Sequence, residues 1–180
     1  MASEGMTAED VVHFWKEAGM THWFGTDDAF DAEFRERFLG LHERAASGQL
    51  EEWMLSAAGA LALMILLDQF PRNSFRDSPR MFATDDSARA LAERAIAAGF
   101  DAAVDPELRM FFYLPFEHSE TMRDQDRSLA LHETIGFTKY AVEHRDIIER
   151  FGRFPHRNAI LGRTSTDAEK KFLAEGGFGG

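Results

Sequence analysis

The 180 residues are enough for one domain with a sizeable core, and the 44% hydrophobic and 28% charged content is ordinary for a globular chain. A net charge of −11 argues against non-specific binding to nucleic acid or to anionic membranes, both of which need a cationic footprint. The absence of cysteine excludes disulfides, thiolate zinc sites and thiol nucleophiles.

Helix signals run from end to end. Thr7 before Ala8-Glu9-Asp10 resembles a capping box, for a helix reaching about Ala18 and closed by Gly19. Thr26 or Asp27 opens the next, with Phe30, Phe34, Phe38 and Leu41 at helical spacing and a stop near Gly48. Glu51 and Glu52 sit at the favourable pole of a third helix running to Phe70, which Pro71 ends. After a loop through Pro79, Thr84 caps Asp85 to Ala98 and Gly99 terminates the segment. Asp105-Pro106 opens a helix through Phe116, with Pro115 set to kink or end it. Helices over Glu120 to Ile135 and Thr138 to Phe151 follow, then a loop from Gly152 to Thr164. Thr166 and Glu169 form a capping box for a short last helix.

No stretch alternates with period two, so strands are not expected. Short connections make successive helices antiparallel neighbours. The reading is a single all-α domain over residues 1–180, an antiparallel array of seven or eight helices, with residues 1–6 a loose leader and Met6 an alternative start. No basic region followed by an apolar stretch marks a secretory signal, and the longest apolar run, Trp53 to Leu67, is short for a bilayer. A cytoplasmic location is therefore expected. Seventeen Phe against two Tyr point to a core sealed by apolar packing. Trp53 to Leu67 and Leu108 to Phe116 are apolar all round, which places them centrally.

Both apolar segments end in abrupt polarity. Gln69-Phe70-Pro71-Arg72-Asn73 is echoed by Arg153-Phe154-Pro155-His156-Arg157-Asn158. Each Arg could neutralise carboxylates and bare helix-end carbonyls, or Arg72, Asn73, Arg153, His156, Arg157 and Asn158 could line a pocket for an anionic ligand. Glu117-His118-Ser119-Glu120, with Asp124 beyond, could supply acid/base catalysis through His118, Glu117, His156 or Asp124, or simply cap a helix. Histidine spacing and the lack of thiolates predict no metal, and no cofactor motif is present. His144 falls on an apolar helix face and reads as a core residue; His13, His22, His42 and His132 carry no assigned role.

LLDQFPRNSFRDSPRMFATD, FFYLPFEHSETMRDQDRSLALHE and HRDIIERFGRFPHRNAILGRTST resemble the signature blocks of the bacterial domain-of-unknown-function family 924. The resemblance implies a tetratricopeptide-like all-α fold and brings no activity or catalytic residues. The 34-residue consensus of true tetratricopeptide repeats is missing. Three readings stay open: a binding module for a small anionic ligand or a protein terminus, a small hydrolase or other acid/base enzyme acting on an anionic substrate, and a purely structural salt-bridged cluster. If Asp68, Glu117 and Asp124 pair every arginine, the last is favoured.

Overall fold

The computed structural model describes residues 5–178, and among them every regular element is helical, with no strand. The expected leader, residues 1–6, falls mainly outside the described residues. Among the described residues no helix is long and apolar enough to cross a membrane. The chain is an all-α helical array, and its contacts divide it into two compact units.

The first unit comprises the chain through Arg76 together with Arg80–Pro115. It holds α1 (Ala8–Trp23), α2 (Asp28–Ala46), α3 (Ala57–Met64), α4 (Phe70–Ser74) and α5 (Asp85–Ala97), with a tight 3-10 run over Pro106–Phe112. Thr7 and Asp10 form the expected capping box, and Asp27 caps α2 by accepting from Ala29 and Phe30 N–H at 3.0 and 3.1 Å. Trp15, Trp23, Phe34, Phe38, Phe70 and Phe111 are all buried. Their rings meet in stacked and edge-on pairs 5.1–6.3 Å apart, and Trp23 Nε1 donates to the Trp15 carbonyl. Phe fills this cluster with no polar atom to satisfy, whereas the buried Trp15 Nε1 finds no hydrogen-bond partner among the described residues.

Three local expectations are corrected. α1 runs on through a kink at Gly19 to Trp23 instead of closing at Ala18. Burial of the long apolar run starts near Gly59, because Glu51–Leu55 forms a separate 3-10 turn whose Leu55 is 85% exposed. Ser56 then caps α3 through its hydroxyl.

The third correction concerns Pro71, which does not end its helix. The chain stays helical from α3 to α4 through a widened π turn over Ile65–Gln69, where Phe70 N–H donates to the Ile65 carbonyl. Proline has no N–H and crowds the carbonyl four residues back, so an ordinary turn would be broken here. Widening the turn relieves the clash but leaves carbonyls without intrahelical partners. Side chains supply them: His42 Nδ1 reaches the Leu66 oxygen at 2.8 Å, and the Thr84 hydroxyl donates to Leu67 at 2.6 Å. Arg72 donates to the Asp68 oxygen at 2.8 Å.

Residues 60–67, Phe70, Leu108, Met110, Phe111 and Phe112 are all buried apolar residues of this unit. Leu63 and Leu114 are 1% and 5% exposed. Truncating either to Ala is expected to cost about 2–5 kcal/mol. Chemical denaturation measures it, and losses within about 0.5 kcal/mol for both would contradict this core.

The second unit comprises Asp77–Pro79 and the chain from Phe116 onward. After α6 (Leu114–Glu117), which straddles the division, come α7 (Met122–Glu133), α8 (Lys139–Phe151), a 3-10 turn at Pro155–Arg157 and α9 (Asp167–Ala174). α7 and α8 pack against each other, and α9 packs on the Pro155–Arg157 turn. Ile147, Ile148 and Phe154 form its apolar centre, joined by Met122, Phe151, Phe172 and Phe178.

Candidate functional site

The two Phe-Pro segments fall in different units. In the first, Arg72 makes a two-point contact with Asp85 at 2.8 and 3.0 Å and approaches Asp68 at 3.3 Å. Asn73 borders an open groove of about 410 Å³ with Asp31, Arg35, Glu36 and Ser74, but its amide already donates to Asp31 at 2.7 Å. Arg76 takes the other Asp31 oxygen, also at 2.7 Å. These contacts are those of an internal ion-pair frame.

In the second unit, α8 ends at Gly152, whose left-handed φ of 70° turns the chain sharply into the loop that follows. Arg153 clasps Glu169 on α9 with two bonds of 2.6 and 2.8 Å and also donates to the Thr164 carbonyl. This clasp holds the Glu169 carboxyl down at about 2, with the Thr166 N–H of the capping box helping against burial. Asn158 commits its amide to Ser165 and Glu169 and accepts from Arg163. Arg163 in turn grips Glu120 at 2.7 and 2.9 Å, and Glu120 accepts the Phe154 N–H at 2.8 Å. Arg153 and Asn158 thus fix the loop in place. Phe154 anchors it in the core, with no exposed surface.

The residues between those anchors meet a cluster of imidazoles. Arg157 is 6% exposed, and its guanidinium lies 4.5 Å above the Phe154 ring. The His156 ring is 5.7 Å from Phe154, and the His144 ring 5.5 Å from it. His118, half-buried just after α6, lies 6.2 Å from His144. Glu117, 3% exposed, places its two carboxylate oxygens 3.5 Å from His144 Nδ1 and 3.7 Å from His132 Nε2. Of the sequence candidates in this unit, Glu117, His118, His156 and Arg157 come together. Asp124 acts elsewhere, accepting the Ser119 hydroxyl at 2.6 Å beside the Thr121 cap of α7.

Helix geometry fixes the imidazoles. His132 and His144 each set Nδ1 against the carbonyl four residues earlier, Ser128 at 2.9 Å and Tyr140 at 2.8 Å. A carbonyl only accepts, so Nδ1 carries the proton and Nε2 the lone pair. Burial is the largest cause of the lowered His132, His144 and His156 pKa values, down to about 3 for His144 and about 4 for His156. Positive charge adds to it: His118 acts on all three, and Arg157 on His144 and His156. The three imidazoles are neutral at pH 7, with the Glu117 carboxyl group beside His132 and His144 and with Glu120 opposing the shift of His156.

Neither His132 nor Gln125 was given a role from the sequence, yet both, with Ser128 between them, are fully or almost fully buried. Their spacing of three and four along α7 was the available signal, a polar stripe where a core face was due. Gln125 donates to the Glu117 and Ser119 carbonyls, both at 2.7 Å, and so closes the end of α6. Among the described residues the buried Gln125 Oε1 and His156 Nδ1 find no hydrogen-bond partner. Among the described residues no group of three or more His, Asp or Glu is arranged to hold a metal.

The chain is similar to a solved structure from Agrobacterium tumefaciens, the protein of unknown function ATU0120. The two share 51% identity over 93% of this chain and 97% of that one, with a TM-score of 0.92. No curated protein matches the chain. The profile of the family described as bacterial protein of unknown function (DUF924) matches residues 11–177. The chain belongs to that family.

Proposed function

We propose that the second unit is a binding module for a small anion, a carboxylate or phosphate, held by Arg157 with His118 and His156. The observation that carries this reading is the placement of the Arg157 guanidinium: buried, laid over Phe154, and flanked by imidazoles that burial keeps neutral. A planar guanidinium offers paired donors to a planar or tetrahedral oxyanion, and shielding from water strengthens each bond. The unpartnered Nδ1 of His156 is one further polar atom a ligand can engage. Arg72, Arg153, Asn73 and Asn158, which hold the frame together, lie outside the proposed contact set. The tetratricopeptide-like architecture implied by the family resemblance belongs to the same reading, since helical arrays of that type present binding surfaces.

Calorimetric titration with inorganic phosphate and with acetate is the test. The wild type is expected to bind at least one of them, and Arg157→Ala to lose about tenfold or more in affinity while staying folded. Equal affinity in the wild type and a folded Arg157→Ala would remove Arg157 from the site. Unfolding of Arg157→Ala would support the structural reading instead, and Arg157→Lys, which keeps the charge, then serves as the second probe.

One observation favours an enzymatic reading as runner-up. Glu117 stands 3.7 Å from the lone-pair nitrogen of His132, a carboxyl–imidazole pair that would have to close by about 0.5 Å to share a proton. On that reading Glu117→Gln abolishes turnover of an anionic substrate without weakening its binding.

A further inference from the structure

Ala32, Arg35, Glu36 and Leu39 form one stripe of α2, at helical spacing, beside the face that Phe34 and Phe38 bury. α4 packs along α2 but has only five residues against nineteen, so it leaves part of that stripe uncovered. The result is the open groove of about 410 Å³, lined by this stripe and Asp31 on α2 and by Asn73 and Ser74 on α4. Its volume falls in the usual range of small-ligand sites.

Two charges on the stripe are left over. Asp31, four residues before Arg35, is the natural helical partner of that arginine. Both Asp31 oxygens are already taken, by Asn73 and Arg76, each at 2.7 Å. Among the described residues Arg35 makes no ion pair, and its guanidinium lies 5.5 Å from the centre of the Phe75 ring. The α2 neighbours of Glu36 at helical distance are Ala32, Glu33, Leu39 and Gly40, so none offers it a cation. Adjacent helical residues do not face each other, so Arg35 and Glu36 do not pair either. A cation and a carboxylate, both exposed and separate, thus border one groove. Beside them Ser74 is 8% exposed, and its hydroxyl has no hydrogen-bond partner among the described residues. Such a group gains by meeting a polar ligand. Asn73 gives its N–H to Asp31, which leaves its amide oxygen as an acceptor.

From these groups we infer that the groove binds a short peptide with free ends, of dipeptide size and with an aliphatic side chain. Its carboxylate meets Arg35 and its ammonium meets Glu36. Its amide engages the Ser74 hydroxyl and the Asn73 oxygen, and its side chain packs on Ala32 and Leu39. A purely anionic ligand would be repelled by Glu36, and a purely cationic one by Arg35. The site lies wholly in the first unit and does not depend on the Arg157 anion site.

Calorimetric titration of the full chain with L-alanyl-L-leucine, its N-acetyl form and its C-amide form is the test. The wild type is expected to bind the dipeptide, and to bind each blocked form about fivefold more weakly. Arg35→Gln should lose about the same factor for the dipeptide yet bind the C-amide as the wild type does. Glu36→Gln should do likewise with the N-acetyl form, which assigns each loss to its own end of the ligand. Both side chains are exposed, so both variants are expected to melt with the wild type. The blocked forms test the same charges on the unaltered chain. Ser74→Ala should weaken the dipeptide about threefold without loss of stability, because its hydroxyl has no bond to lose. No dipeptide binding up to about 10 mM would overturn the inference. Blocked forms binding as tightly as the dipeptide would also overturn it, and would make the groove a seat for an internal polypeptide segment. Equal dipeptide affinity in the wild type, Arg35→Gln and Glu36→Gln would place the peptide elsewhere and overturn it too.

Discussion

Replacing Arg72 by alanine is expected to destabilise the chain by about 3–5 kcal/mol, the usual result of stranding buried carboxylates. Asp68 is 1% exposed and Asp85 8% exposed, and the guanidinium touches both. Burial alone would lower the Arg72 pKa, yet Asp68 and Asp85 more than offset it and leave it raised. The same side chain also satisfies the Asp68 carbonyl beside the π turn. For a chain of this size the loss corresponds to about 6–20 °C in Tm. Arg72→Lys should recover only part of it, because an ammonium cannot reproduce the two-point contact with Asp85. Thermal melts read the effect, and a loss below about 1 kcal/mol would mean that Arg72 is not integral to the first unit.

Acid should destabilise the protein well before its carboxylates titrate. His42, His132, His144 and His156 have folded pKa values below the ordinary 6.5, so below pH 6.5 the unfolded chain takes up protons that the folded chain refuses. Stability therefore rises with pH through this window: it is complete above about 6.5 and is lost as pH falls toward about 3–4. Each histidine contributes at most about 1.4 kcal/mol per pH unit inside the window, so four together reach about 5.5. Urea titrations at pH 7.0, 6.0 and 5.0 measure the slope. His144→Gln should flatten it by about one quarter. A stability independent of pH between 7 and 5 would contradict the burial of these rings.

Periodicity and caps made the helices legible, because those signals are local. Thr7, Asp27 and Thr166 cap α1, α2 and α9 as their sequence contexts require. Pro71 misled because its effect was decided by tertiary partners. His42 and Thr84, 24 and 17 residues from the carbonyls they satisfy, stabilise a π turn where proline should end a helix. The candidate site was legible in part for the same reason. Glu117, His118, His156 and Arg157 stand beside helix ends, and polarity after an apolar run drew attention to them. Glu169 and Asp85, which pair Arg153 and Arg72, lie 16 and 13 residues away and could be matched to them only in space. His132 was missed because a histidine on a helix carries no sign of what faces it.

An anion held against Arg157 among these histidines is the proposal on which the functional reading turns. Nuclear magnetic resonance titration of the imidazole nitrogens, with and without inorganic phosphate, tests it most directly. A bound anion should raise the His156 pKa from about 4 by about one unit or more, the usual effect of an opposite charge in contact. The shift should saturate with phosphate and vanish in Arg157→Ala. His156 and His118 titrating identically with and without saturating phosphate, in a folded wild type, would contradict it.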